Sequence, residues 1–406
     1  MNFPVPTMGI PGFLIVEVYF LLNRPLSEDR RIAMVIALFA LLLPASGLQD
    51  DQDKTATQFA QAIAAGFKSG DAAALDRAID VDAMADRALV GMDAKEDWKR
   101  GFRKGVKETF SLGKAIAQSI QDKGSYTFLR FRTVDGKRRA MFRLVAGGSY
   151  NYHDCLVEPA ADGFRIVDIY IYTTGEWMSA SLRRMALGAL AQEPGTLGKL
   201  VGRENEYVKF LPQIQTMTAL HNQGKNAEAL KIYEGLPASV KKEKNALVVR
   251  IAVASAVSVP EWTKAVDDLK KAYPGDPCLA IQSIALLIVA KKFDEAAKGY
   301  EDLDQAIGGD AYLHCRKADV WFTKGDLAKA RESAEKAVEI DPAYAEGYWI
   351  QVTIGLKEKR WTDVSAILTR IEKDLRLSIS DLSRAKVYAE YVTTPEYEAW
   401  MKSRGK

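Results

Sequence analysis

Residues 311–342 read AYLHCRKADVWFTKGDLAKARESAEKAVEIDP, and the order of small and large residues within them decides the architecture. Two stretches with helical periodicity flank Lys324-Gly325-Asp326. Glycine takes the left-handed conformation that ends a helix, and aspartate caps the helix that follows. With Ala311 as position 1, alanines fall at 8, 20, 24 and 27 (Ala318, Ala330, Ala334, Ala337), Trp321 at 11, Gly325 at 15 and Pro342 at 32. Alanine at those places lets two helices approach closely and lets a following pair nest against them.

The spacing recurs on both sides in weaker form. From Cys278 the matching residues are Ala285, Ile288, Lys292 and Ala297, but the ending decays to Glu301, Asp304 and Gly309. From Ala246 they are Val253, Ala256, Pro260, Ala265, Leu269, Ala272 and Pro277. An earlier unit starts near Phe210 and a later one near Ala345, where larger residues replace the small ones. Starts at 210, 246, 278, 311 and 345 are 36, 32, 33 and 34 residues apart, near the 34-residue period of one repeat class. The pattern resembles the tetratricopeptide (TPR) repeat over about residues 205–380, with capping helices expected in 381–406 and Tyr388, Tyr391, Tyr397 and Trp400 as their apolar cover. The resemblance implies an all-α right-handed solenoid of five helical pairs whose inner face holds a protein or peptide. Positions 2, 5, 9 and 12 line that face in the family; here they include Arg250, Gln282, Tyr312, Asp319, Phe322 and Trp349. Their signs are mixed, without the dense lysine–asparagine clamp of TPRs that capture a C-terminal carboxylate.

Upstream the pattern changes. Residues 55–70 and 72–91 are helical in period, with Phe59, Ile63 and Phe67 four apart on one stripe. A third helical stretch is expected from about 94 to 120, weakened by Gly101, Gly105 and Gly113. Period two then takes over in YTFLRFRT (126–133) and KRRAMFRLV (137–145), with Asp135-Gly136 as a hairpin turn between them. Further strands are expected over 150–157 and 164–173. Helices followed by an antiparallel sheet, ending NYHD…RIVDIYIY, resemble the NTF2-like (cystatin-like, SnoaL-like) cone over residues 55–190. The expected fold is an α+β NTF2-like cone followed by an all-α TPR-like right-handed solenoid.

Some cones of that family enclose a pocket, and others only dimerise. Alternation places Val167, Ile169 and Ile171 on one strand face and Asp168, Tyr170 and Tyr172 on the other. His153 and Cys155 share a face of the preceding strand. A hairpin across 159–163 would bring His153 toward Asp168, and a carboxylate beside an imidazole orients it as a base. Cys155 beside His153 makes a thiol–imidazole pair the other chemistry to consider. The plainer reading is structural, with His153 a hydrogen-bonded residue in a tyrosine-rich strand and Asp168 solvated on an outer sheet face.

Residues 1–47 read as a leader. Arg30-Arg31, the apolar run IAMVIALFALLL (32–43) and the exit Pro44-Ala45-Ser46-Gly47 have the order of a secretory signal peptide. A second apolar stretch at 10–22, interrupted by Glu17, leaves a later translation start or a membrane hairpin as other readings. The expected location is exported, periplasmic or envelope-associated, with anchoring through residues 10–43 if the leader is retained. Basic and acidic residues, 56 and 53, are interspersed, so no single-sign tail argues for nucleic acid. Cys155, Cys278 and Cys315 match no zinc or CxxC spacing; Cys278 and Cys315 could pair across neighbouring repeats, or all three could be buried thiols. With no phosphate loop, HExxH or GxSxG motif, neither cofactor nor metal is expected. The functional expectation is a non-enzymatic exported scaffold or adaptor binding a protein or peptide through the groove. The alternative is a small-ligand binder or weak acid–base enzyme using the cone's pocket, and a third reading is a structural part of an envelope assembly. Self-association through the outside of the cone is the other surface considered.

Overall fold

The computed structural model describes residues 45–120, 124–193 and 203–404. The apolar runs at 10–22 and 32–43, and with them the expected leader, lie outside the described residues. Two compact units divide between Phe59 and Ala60. The described part of the first is helical and belongs to α1 (Ala45–Ser69), which ends inside the second unit.

In the second unit, Gly70 in the left-handed region ends α1, and α2 (Ala73–Ala78) and α3 (Val81–Leu89) follow. Asp80 caps α3 by accepting from the Ala83 amide at 2.8 Å. The stretch expected as one helix from 94 to 120 is two, α4 (Glu96–Thr109) and α5 (Leu112–Ile120), broken at Phe110-Ser111. Gly113 explains the break better than flexibility does. Its amide donates to Asp76 Oδ1 at 2.8 Å, and a Cβ there would stand 2.1 Å from the Ala72 carbonyl oxygen. The first turn of α5 is thus pinned against α2.

The sheet is an antiparallel meander of β1 (Ser125–Val134), β2 (Lys137–Ala146), β3 (Ser149–Ala160), β4 (Gly163–Ile171) and the short β5 (Glu176–Trp177), in that order. Asp135-Gly136 turns β1 into β2 with both φ values positive, 51° and 70°, the geometry that matches the twist of paired strands. A bulge between Phe128 and Arg130 resets the alternation of β1. One face, with Tyr126, Phe142, His153, Cys155 and Ile169, is buried within this α+β part. The other presents Arg143, Tyr152, Asp154, Tyr170 and Tyr172. β5 runs into α6 (Met178–Leu190).

Among the described residues five helix pairs follow: α7 (Arg203–Asn222) with α8 (Asn226–Gly235), then, after the single turn α9 (Ala238–Lys241), α10 (Lys244–Ser255) with α11 (Val259–Ala272). The third to fifth are α12 (Cys278–Val289) with α13 (Phe293–Ile307), α14 (Ala311–Lys324) with α15 (Leu327–Ile340), and α16 (Ala345–Glu358) with α17 (Trp361–Lys373). The last three pairs begin at the residues that the repeat spacing marks. The wider offset before the second pair holds α9. Ala318, Ala330, Ala334 and Ala337 are fully buried between helices, and a Cβ on Gly347 would lie 2.9 Å from Val338 Cγ2 and 3.3 Å from Ala337 Cβ. Gly325 ends α14 at φ 89°, and Asp326 accepts from the Lys329 amide to start α15. This stacking makes the C-terminal region a helical-repeat solenoid.

The end of the chain is less regular than the expected capping helices. Three 3-10 turns, Leu382–Arg384, Lys386–Tyr388 and Tyr391–Thr393, precede α18 (Pro395–Ser403). Leu382, Tyr391 and Trp400 join Val364, Leu368 and Ile371 in one apolar cluster, so the cover is present although its form is looser. No helix among the described residues is long and apolar enough to cross a membrane.

Candidate functional site

The five residues expected to line a cone pocket do not converge. Cross-strand pairing sets His153 against Ile171 and Cys155 against Ile169, but Asp168 against Leu156. Side chains alternate along β3, so His153 and Asp168 lie on opposite faces of the sheet, and the expected carboxylate–imidazole pair is not formed. His153 is 3% exposed. Its Nδ1 lies 3.2 Å from the Tyr126 hydroxyl and its Nε2 3.3 Å from Asn151 Nδ2. Burial lowers its pKa to about 4, which keeps the ring neutral near pH 7. Burial likewise raises the Cys155 thiol well above its ordinary range, so thiolate is not available there.

Asp168 serves α6 instead. It accepts the Ser179 amide at 3.1 Å and the Ser179 hydroxyl, doing from a neighbouring strand what an N-cap side chain does. Burial pushes its pKa up, against the pull of those Ser179 bonds.

Tyr170 and Tyr172, by contrast, point at the solenoid and belong to a seam that joins the two halves of the second unit. At its centre Arg143 of β2 forms an ion pair with Asp310, both side chains under 10% exposed at 7% and 3%. The Tyr152 hydroxyl donates to the other oxygen of Asp310 at 2.8 Å, while Asp310 also caps α14 through the Tyr312 amide at 3.1 Å. The Arg143 guanidinium sits 5.2 Å from the ring centres of both Tyr312 and Tyr344. Burial opposes its charge, yet Asp310 keeps it firmly protonated. A buried pair of this kind is costly to desolvate and more costly to break on one side.

Around that centre the sheet's side chains meet helix ends. Arg130 donates to the Gly308 carbonyl and Arg132 to the Ala306 carbonyl, and the Tyr172 hydroxyl reaches Ala306 O at 3.3 Å. These are the free carbonyls at the negative end of α13, where cations are favoured. At the other edge, Tyr170 donates to Asp276 at 3.1 Å, Lys244 donates to the Gly175 carbonyl at 2.9 Å and also pairs with Asp276, and Gln282 donates to the Thr173 carbonyl. Burial raises the Asp276 carboxyl, but the bonds from Lys244 and Cys278 outweigh it and the net shift is downward. Gly175, at φ 67°, brings the turn so close to α12 that a Cβ there would be 2.7 Å from Cys278 Sγ.

Of the six residues expected in the groove, two therefore meet the chain's own sheet. Gln282 holds the β4–β5 turn, and Tyr312 is tilted against Tyr150 with ring centres 5.4 Å apart. Phe322 and Trp349 are half-buried on their helices, in two separate apolar clusters. Asp319 is exposed and pairs with Arg316 at 3.0 Å. Arg250 stands apart, paired with Asp268 and 4.7 Å from the Tyr233 ring centre. It lines a cleft of about 640 Å³ with Leu230, Tyr233, Lys242, Leu247 and Lys271. Cys155, Cys278 and Cys315 are all free and buried, so the considered Cys278–Cys315 bond is not formed. Among the described residues no group of three His, Cys, Asp or Glu side chains is placed to hold a metal ion.

Sequence reading missed Arg143, Asp310, Lys244 and Asp276. One signal was present: the repeat pattern decays at Asp304 and Gly309, the end of the third pair, and there the arginines of β1 dock.

No protein family matches the chain, and no curated protein does. Similar solved structures include MamA from residue 41 to its end, from Desulfovibrio magneticus RS-1, at 18% identity and TM-score 0.34 over 40% of this chain and 93% of that one. An RS-1 MamA double mutant matches at 17% identity and TM-score 0.33, over 40% and 94%. Likeness at that level carries no weight here, and the helical-repeat reading rests on this chain's own packing.

Proposed function

We propose that the chain is a non-enzymatic scaffold or adaptor that binds a protein or peptide through its helical repeats. One observation carries the reading: the chemically suggestive His153 and Cys155 are sealed in a core, while the solenoid keeps an open cleft of about 640 Å³ beside Arg250. An apolar lining of Leu230, Tyr233 and Leu247 with the exposed Lys242 and Lys271 beside it suits an extended segment, whose side chains meet the apolar wall and whose polar groups meet the lysines. Asp319 adds an exposed polar contact further along the first helices.

The reading also takes the α+β part as NTF2-like, supported by its order of helices before an antiparallel meander, and the protein as exported, supported by the arginine-flanked apolar run at 32–43. Retention of that run would tether the scaffold to a membrane, and the outer surface of the α+β part would serve self-association. Sequencing the mature N-terminus tests export: a start at Leu48 supports it, and a start at Met1 counts against cleavage.

Partner binding is tested with exposed residues, since Tyr312 is committed to the seam. Replacing Lys242 and Lys271 together by Glu should sharply reduce recovery of a partner from envelope extract while leaving the thermal midpoint nearly unchanged. Equal recovery by parent and variant would count against the cleft.

A further inference from the structure

We infer that the sheet is a gate on the solenoid: docked, it closes the Gln282 and Tyr312 stretch of the first helices, and it leaves as a folded body to open it. The seam is built from long side chains reaching across, namely Arg130, Arg132, Arg143, Tyr152, Tyr170 and Tyr172, most of whose tips bond to helix ends. Tyrosine and arginine anchors with bonded polar tips are the composition of a surface that associates, and interfaces between parts of one chain share it. Met141, Tyr152 and Tyr172 of the sheet share one apolar cluster with Tyr312, Leu313 and Trp321 of the solenoid, so release uncovers apolar surface on both sides, and each side has a further interior of its own. Cys155 and Ile169 are buried on the sheet's far face, and Cys315 lies between Ala311 and Ala337.

A second observation gives the docked state a counterweight. The Nε atoms of Arg130, Arg132, Arg139 and Arg143, and Oδ1 of Asp154, are buried on this face of the sheet without a hydrogen-bond partner. For Arg130, Arg132 and Arg143, whose tips bond across the seam, such an atom covered on docking costs free energy that water returns on release. Strong central bonds set against several unpaired neighbours make an equilibrium that a partner could bias, because its apparent affinity scales with the open fraction. That consequence rests on the solenoid being the partner-binding part; the opening itself is measured without a partner.

The three native cysteines report on three layers. Cys278 packs against Leu247, Leu269 and Leu286 of the solenoid with its Sγ covered by the Gly175 turn at the seam, Cys155 lies inside the sheet's covered face, and Cys315 lies in the solenoid away from that turn. The intact protein is treated with excess N-ethylmaleimide under native conditions, and labelling of each cysteine is followed by mass spectrometry. Cys278 is expected to react about tenfold faster than the other two, as sub-global opening requires. Arg143→Gln should speed Cys278 by about tenfold or more, leaving the others unchanged. Should that variant not fold, Tyr170→Phe, which removes only the bond to Asp276, should give the same selective change at about threefold. Three cysteines reacting at one rate in the parent, or rising together in the variants, would overturn the gate. So would a Cys278 rate that neither variant alters.

Discussion

A histidine walled in by tyrosine and isoleucine cannot keep the proton it would hold in water, and His153 makes the protein's stability depend on pH. Its folded pKa, about 4, lies below the ordinary 6.5. The unfolded chain therefore binds the proton first, so this contribution is complete above pH 6.5 and is lost as pH falls toward 4. Between pH 7 and 5 the loss from this one group should be about 2 kcal/mol, at 1.36 kcal/mol per pH unit once the unfolded imidazole is charged. Urea titrations at both pH values, on the parent and on His153→Asn, should show a smaller pH difference in the variant; equal differences would remove the assignment. Glycines give a second test at this scale. Gly175 and Gly325 both have positive φ, but only Gly175 has a neighbour in the way. Gly325→Ala should cost about 1 kcal/mol for the left-handed backbone alone. Gly175→Ala should cost about 2–4 kcal/mol because the added carbon also meets Cys278. Denaturant midpoints decide between them.

At the scale of elements, the helix pairs are held by the absence of side chains where they touch. Ala337→Leu should lose about 1–3 kcal/mol by overpacking against Gly347, Ala311 and Cys315, read from the thermal midpoint, whereas Lys336→Leu on the exposed side should be nearly silent. The same spacing made the starts of α12, α14 and α16 legible in the sequence, since contact at a fixed interval leaves alanine and glycine at fixed positions. The beginning of α7 was not legible: nothing near Arg203 resembles the repeat, and the helix runs ahead of the unit that starts near Phe210. The sheet's strands and the Asp135-Gly136 turn could be read from period two. The bulge at Leu129 left only a trace, the adjacent apolar pair Phe128-Leu129 at which the alternation of YTFLRFRT changes phase, and pairing with β2 is what shows an extra residue there. Asp168 was legible as standing on the opposite strand face from Val167, Ile169 and Ile171, but its service to α6 was not, because Ser179 is eleven residues away around a turn.

For the molecule as a whole, two parts outside the repeats cover the solenoid, one along its middle pairs and one at its last pair. The sheet adjoins the pairs from α10 to α14, and the irregular segment after α17 closes the last pair. A chain ending after Ser380 would expose Val364, Leu368 and Ile371, which Tyr391 and Trp400 now shield. It should melt at a lower temperature and self-associate at micromolar concentration, as uncapped repeats do; a monomer with an unchanged midpoint would show the cover to be dispensable. Groove positions taken from a repeat pattern could not anticipate that the chain fills part of its own groove, since the filling side chains lie more than a hundred residues upstream. The bulge in β1 carries a last consequence. It is the one-residue step that turns Arg130 and Arg132 toward α13, away from Tyr126 and Phe142. Were Leu129 instead paired opposite Met141 in an unbroken ladder, Arg130 would fall opposite Ala140 and two guanidinium groups would turn among stacked aromatic rings, so the contact between the two halves hangs on a count of residues as much as on their chemistry.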